Sequence, residues 1–248
     1  MSDGAPPARP PVAPAPARNG ERTAVLVVLG LLAALAISKG TIDGQTLILL
    51  ATIVPSIILH EISHGAVANF FGDDTAKRAG RLTLNPLAHV DLFGTLLMPA
   101  MLALSGLPPL GFAKPVPVNL SRLRHPRNEG LLVSLAGPAT NFTLAAIAAL
   151  LFRVFNPADG TFSDILIDFG TLNVFLGTFN LLPIPPLDGS AVLERLLPRA
   201  WWGPYLQIRQ YSMILVLLVV LRFHGIIDSA YLPLARVWGH LAGGVYFR

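Results

Sequence analysis

Two histidines and a glutamate occur in the five-residue segment His60-Glu61-Ile62-Ser63-His64. This segment directly follows the apolar residues Ile57-Ile58-Leu59. Residues four apart in a helix share one face, so His60 and His64 are spaced to bind one metal ion. Bound Zn²⁺ lowers the pKa of its water to about 7. Glu61 would lie toward the open side of the metal, where it could take a proton from that water. The pattern predicts zinc-dependent hydrolysis of a polarised carbonyl such as a peptide bond.

Asp188 is the best candidate for a third metal ligand. Catalytic zinc usually has three protein ligands and one open position. Asp188 follows a proline-broken helix end and precedes Gly189, where the backbone bends easily. A simpler alternative is a solvated loop residue or a helix cap. Ionisable residues in apolar spans are costly and usually functional, which favours a shared metal site.

The composition indicates a membrane protein. The chain has 248 residues, of which 53% are hydrophobic and 13% charged, and its mean hydropathy is +0.60. Soluble proteins average about 25% charged residues. The net charge of +4 comes without a basic stripe or aromatic platform, so nucleic-acid binding is excluded. The chain has no cysteine, which excludes disulfides, thiolate ligands and cysteine nucleophiles.

The hydropathy pattern predicts an all-α polytopic fold with five to six transmembrane helices. Residues 1–21 form a Pro/Ala-rich tail that we expect to be disordered; residues 22–248 form the membrane-embedded domain. The C-terminal stretch 226–247 either crosses the membrane or lies at its surface, with Trp238 and Tyr246 at headgroup depth. The predicted spans are Thr23–Ser38, Gln45–Phe71, Leu92–Leu104 (short for a crossing), Gly130–Phe155, Phe162–Leu182 and Gln207–Phe223.

A proline-rich stretch interrupts these spans. Leu107–Asn119 contains four prolines, which prevent a regular helix. Extended backbone at membrane depth must be buried in protein or line a water-filled cavity. The stretch therefore predicts a short re-entrant extended or β-hairpin element, with a simple turn between spans as the alternative.

Two basic loops set the predicted orientation. Basic loops stay in the cytoplasm, which places the N-terminus there and brings His60, His64 and Asp188 to one depth. The basic residues are Lys77, Arg78 and Arg81 in one loop and Arg122, Arg124 and Arg127 in the other.

Three motifs in order resemble the site-2 protease family of intramembrane zinc metalloproteases. They are His60-Glu61-Ile62-Ser63-His64, Gly137-Pro138-Ala139-Thr140-Asn141 and Leu187-Asp188-Gly189. Residues 80–86 and 111–119 also look like segments of its compact members. The resemblance covers about residues 45–195 and includes no PDZ-like insertion.

The resemblance implies a role for each matching residue. His60, His64 and Asp188 would bind one Zn²⁺ per chain, and Glu61 would be the catalytic base. Asn141 would hold substrate or the developing oxyanion, although hydrogen bonding between helices is an equal alternative. The segment formed by Gly111, Phe112, Ala113, Lys114 and Pro115 would pair with the substrate backbone as an added strand.

The implied substrate is a transmembrane protein or peptide, cleaved within the lipid bilayer in regulated intramembrane proteolysis. The Ala/Pro-rich composition indicates a prokaryotic cell membrane. His89 and His125 lie in polar loops and are expected to be solvated rather than metal ligands.

Three other functions fit the residues less well. A metal transporter would need ligands along a crossing path and matched repeats, whereas these ligands converge and no repeat is seen. A di-iron oxidase would need several histidine or Glu-x-x-His clusters, and the chain has one such motif. A catalytically inactive scaffold would not need the intact Glu61.

Overall fold

The computed structural model describes residues 27, 44–98, 101 and 113–244. The described residues from 44 onward belong to one compact unit. The predicted N-terminal tail lies outside the described residues, and so do Gly111 and Phe112. Of the first predicted span, only Val27 is described; it is helical and exposed.

The described chain is mainly helical. Short 3-10 or π turns occur at Pro86–Ala88, Leu92–Leu97, Leu120–Arg122 and Arg199–Trp201. The α-helices are α1 (Gly44–Phe70), α2 (Thr75–Arg78), α3 (Pro126–Phe155), α4 (Thr161–Asn180), α5 (Ser190–Leu196), α6 (Trp202–Arg209), α7 (Ser212–Arg222) and α8 (His224–Leu241).

No strand occurs among the described residues, so the predicted β-hairpin is not confirmed. Ala113–Asn119 nevertheless has no helical structure. Lys114 and Val116 each precede a proline, which restricts them to extended conformations. The segment is therefore extended but unpaired within the described part of the chain.

Two of the described helices, α3 and α4, are long and apolar enough to cross a membrane. The α6–α7 pair is bent by 70° and adds a third span if it forms one crossing. The prediction of membrane helices is confirmed at this level, whereas the number five to six is not.

Helix α3 packs against both α1 and α4. It begins at Pro126, whose fixed φ suits a first turn, and the Glu129 carboxylate accepts from the backbone N–H of His125 at 2.9 Å. It ends at Phe155, and the following residue, Asn156, adopts a left-handed φ of 40° that terminates the helix. Because α3 touches both neighbours, it can contribute groups to a site between them.

Helix α8 packs on α3 and α4 through small residues. Ala145, Ala148 and Ala149 form a buried cluster with Trp238. The indole Nε1–H of Trp238 donates to the Ala145 carbonyl at 2.7 Å. Trp238 is therefore buried between helices, and its depth in the membrane stays a prediction.

The two basic loops lie together. Arg122 contacts Asp74 at 2.7 Å and Asp73 at 3.7 Å, and Asp74 also pairs with Arg78 at 2.6 Å. Both loops therefore lie at the same end of the helices, as the charge pattern requires. The side of the membrane that they face stays a prediction.

We expect Trp238→Ala to lower the free energy of unfolding by about 3–5 kcal/mol, the usual cost of emptying a buried aromatic site. Denaturant titration in detergent micelles measures this change. Trp201→Ala is the matched control, because Trp201 is 63% exposed. Equal effects of the two substitutions would contradict the packing described for α8.

Candidate metal centre

His60, His64 and Asp188 converge on one point. The Nε2 atoms of the two histidines are 3.1 Å apart. Asp188 Oδ2 lies 3.0 Å from His60 Nε2 and 3.3 Å from His64 Nε2. Tetrahedral zinc with bonds of about 2.0–2.1 Å separates neighbouring ligand atoms by about 3.3 Å. The triangle therefore fits three corners of a zinc site.

The chain brings Asp188 to the histidines through a tight loop after α4. Pro183 lies just beyond the end of the helix, and the Gly189 N–H donates back to the Asn180 carbonyl at 2.6 Å. A Cβ on Gly189 would lie 2.6 Å from the Leu182 carbonyl oxygen. Glycine is therefore required beside Asp188 because the backbone folds against itself.

Hydrogen bonds on the far side of each ring identify the proton positions. His64 Nδ1 lies 2.7 Å from the Val133 carbonyl oxygen, which can only accept, so His64 Nδ1 carries the proton. His60 Nδ1 lies 2.5 Å from Asn141 Oδ1, an acceptor as well. In neutral rings both Nε2 atoms then present lone pairs toward each other and toward Asp188.

Asp188 Oδ2 is buried and has no hydrogen-bond partner. Three electron-pair donors therefore face one another across about 3 Å, an arrangement that a cation stabilises. Two neutral imidazoles and a carboxylate are ordinary zinc ligands, so the residues fit this metal.

Gly137 of α3 leaves space beside the rings of His60 and His64. A Cβ at this position would lie 2.5 Å from the Nε2 atoms of both His60 and His64, so it would occupy the space between the ligands. The next residue, Pro138, has no N–H for the Ser134 carbonyl. The helix is thus loosened at the turn whose Val133 carbonyl accepts from His64.

Asn141 is fully buried, at 0% exposure, and both ends of its amide are engaged. Its Oδ1 faces His60, and its Nδ2 donates to Asn173 Oδ1 at 2.9 Å. These contacts favour the helix–helix role over the substrate role. Direct contact of Asn141 with substrate stays a prediction.

Sequence reasoning missed Asn173. This side chain is also 0% exposed, and its Nδ2 donates to Ser56 Oγ and to the Phe169 carbonyl, each at 2.8 Å. The available signal was an asparagine in the middle of an apolar helix, because polar residues in such helices usually bond to another helix.

Glu61 contacts the extended segment rather than the histidine rings. Its Oε2 accepts from the Val116 N–H at 2.9 Å, the one N–H between Pro115 and Pro117. The same segment donates from Lys114 N to the His89 carbonyl at 2.8 Å and from Asn119 N to Asp73 Oδ2 at 2.6 Å. The structure therefore brings Ala113, Lys114 and Pro115 into the neighbourhood of Glu61.

The solvated state expected for His89 is wrong, whereas His125 is exposed as expected. His89 is 3% exposed, and its Nε2 lies 2.9 Å from the Thr83 carbonyl oxygen. It supports the extended segment through its own carbonyl. Within the described residues, the one cluster that could hold a metal is His60, His64 and Asp188.

Known proteins resemble this chain in sequence. The sequence model of peptidase family M50 matches residues 155–222, which include Asp188. YwhC of Bacillus subtilis (strain 168), named as a candidate zinc metalloprotease, is 41% identical over 179 residues, 69% of this chain and 78% of its own length. The chain belongs to peptidase family M50. It is a zinc metalloprotease, and the resemblance to site-2 proteases is confirmed.

Further relatives have the same kind of name. Rip2 of Mycolicibacterium smegmatis (strain ATCC 700084 / mc(2)155) is 35% identical over 64% of each chain. Rip2 of Mycobacterium tuberculosis (strain ATCC 25618 / H37Rv) is 31% identical over 80% of this chain and 76% of its own. No solved structure matches the chain.

We expect Gly137→Ala to abolish zinc binding while leaving the helices folded. The new methyl group would fill the space between the ligands, so the affinity should fall by more than the 10–100-fold typical of a lost outer-shell partner. Elemental analysis of purified protein measures bound zinc, and circular dichroism checks the fold.

Gly203→Ala is the matched control for this substitution, because a Cβ at Gly203 meets nothing within 4 Å. Full zinc content in the Gly137→Ala protein would contradict the location of the metal centre.

Proposed function

We propose that this metalloprotease is an intramembrane endopeptidase that cleaves transmembrane segments of membrane proteins. The observation that carries the proposal is the convergence of His60, His64 and Asp188 beside helices apolar enough to cross a bilayer. A buried hydrolytic site in such surroundings fits a substrate that is itself embedded in lipid.

His60, His64 and Asp188 would hold one Zn²⁺, and Glu61 would be the base. The metal supplies a polarised substrate carbonyl and a water of lowered pKa. Glu61 would take one proton from a water molecule as the water oxygen bonds to the carbonyl carbon, and would return that proton to the departing amine as the peptide C–N bond breaks. The Val116 N–H holds Oε2 in place during this transfer.

The segment Ala113–Asn119 would bind the substrate backbone. A transmembrane helix satisfies its own peptide groups, so cleavage requires local unwinding and new partners for the released groups. The N–H groups of Lys114 and Val116 are used by the protein. In an extended chain the intervening residues face the other way, and there Pro115 and Pro117 offer carbonyls without N–H groups. This edge would therefore accept hydrogen bonds from substrate N–H groups.

The same proposal extends to location and biological role. Two basic loops that lie at one end of the helices support a cytoplasmic placement of that end, and with it a cytoplasmic N-terminus. The relatives named above come from bacteria, which supports a prokaryotic cell membrane. Regulated intramembrane proteolysis is the role that the site-2 resemblance favours.

Glu61→Gln should retain zinc and lower the cleavage of a membrane-embedded reporter by about 10²–10⁴-fold, the usual contribution of a general base. Glutamine keeps an oxygen for the Val116 N–H but cannot take up the proton. Cleavage is followed in proteoliposomes by gel electrophoresis, and zinc is measured by elemental analysis.

Asp159→Asn in the exposed loop after α3 is the control and should keep both properties. Undiminished cleavage by the zinc-loaded Glu61→Gln protein would reject Glu61 as the base. Zinc flux that survives this substitution, without proteolysis, would favour transport instead.

A cysteine at position 114 should cross-link to substrate. The chain has no cysteine, so Lys114→Cys in the Glu61→Gln background carries a single thiol on an exposed residue of the segment. We expect a disulfide with a cysteine next to the scissile bond of the reporter, because the segment would lie against the unwound backbone.

Arg153→Cys is the matched control for the cross-link, because Arg153 is exposed in the last turn of α3. Equal cross-linking from both positions would remove the support for a substrate strand at this segment.

A further inference from the structure

A chain of buried polar groups runs from His60 through helix α3 to helix α4 and back to α1. Its members Asn141, Asn173 and Ser56 are each 0% exposed. The successive contacts measure 2.5 Å from His60 to Asn141, 2.9 Å to Asn173 and 2.8 Å to Ser56. No hydrolytic step uses the last two residues, so their function requires a separate explanation.

The far end of this chain has a fixed polarity. The Phe169 carbonyl oxygen, 2.8 Å from the Asn173 amide, can only accept, so the Nδ2 end of Asn173 must face it. Ser56 indicates the same orientation of the Asn173 amide. Its hydroxyl donates to the Thr52 carbonyl at 2.7 Å and presents a lone pair to Asn173.

This polarity propagates to the metal ligand. With Nδ2 of Asn173 turned to Phe169, its Oδ1 faces Asn141 and can only accept. Asn141 must then donate from Nδ2 and turn Oδ1 to His60. An accepting oxygen there requires the proton on His60 Nδ1, which leaves the Nε2 lone pair free for the metal.

We infer that Asn173 is a positioning residue that sets the tautomer of His60 from a distance, through the amide of Asn141. His64 needs no such relay, because the Val133 carbonyl meets its Nδ1 directly. Asn141 is an amide and could present either end to His60. Asn173 removes that ambiguity and thereby keeps His60 ready to bind zinc.

This inference rests on His60 being a zinc ligand, and the first measurement separates the two. Nitrogen-15 NMR of the metal-free full chain in micelles should show a proton on Nδ1 of His60. The opposite tautomer in the wild-type protein would overturn the inference, whether or not zinc binds.

The second measurement is zinc affinity. Asn173→Leu, close in size but without polar atoms, should let the Asn141 amide turn over and should weaken zinc binding about 10–100-fold, as outer-shell losses do. Thr178→Val is the matched control on the same helix. Thr178 is buried and donates to the Val174 carbonyl at 2.7 Å, outside the relay, so its loss should leave the zinc affinity unchanged.

A rescue distinguishes amide polarity from packing. In Asn141→Asp/Asn173→Leu, the carboxylate presents an acceptor to His60 whichever way it turns, so zinc affinity should recover to within about threefold of the wild type. A purely structural role for Asn173 predicts no recovery.

Unchanged zinc affinity in a folded Asn173→Leu protein would overturn the inference and leave the metal centre intact. Absence of zinc from the wild-type protein would overturn the proposed ligand set instead. If Asn173→Leu does not fold, the wild-type NMR spectrum remains the test, because the opposite tautomer of His60 would overturn the inference.

Discussion

The structure depends on three electron-pair donors that face each other inside an apolar helical bundle. His60 and His64 turn their Nε2 atoms toward Asp188 Oδ2 at 3.0 and 3.3 Å, and none of the three has a proton to offer once the outer hydrogen bonds are made. Without a cation this arrangement is repulsive and poorly solvated. A cation bound there would supply part of the free energy that holds α1 and the loop after α4 together.

Small residues allow close packing of the helices around this centre, and buried amides form hydrogen bonds between them. Gly137 lets α3 approach the ligands, and the alanines of the same helix let Trp238 pack closely. In a bilayer there is little hydrophobic drive between helices, so close packing and interhelical hydrogen bonds must hold them. Asn141 and Asn173 therefore serve both the association of three helices and the orientation of His60.

The sequence alone predicted the parts of the site whose partners are near in the chain or whose chemistry is costly in lipid. The spacing of His60 and His64 is local, and the proline-broken helix end marked Asp188. The role of Asn173 was not predicted, because its partner Ser56 is 117 positions away in the sequence. A hydrogen bond between two such side chains produces no periodic pattern in the sequence. The β-hairpin was expected from alternating Val and Pro, yet proline supplies no N–H for a ladder. His89 was misjudged because its loop is polar, although tertiary contacts bury it.

The attachments of Ala113–Asn119 have a mechanical consequence. Glu61, in α1, accepts a hydrogen bond from the middle of this segment. Asp73, in the turn after α1, accepts one from its end. The ligating histidines belong to the same helix. A tilt of α1 in a thinner or thicker bilayer would therefore move Glu61, the two histidines and this segment together, and would change their spacing to Asp188, which the loop after α4 carries.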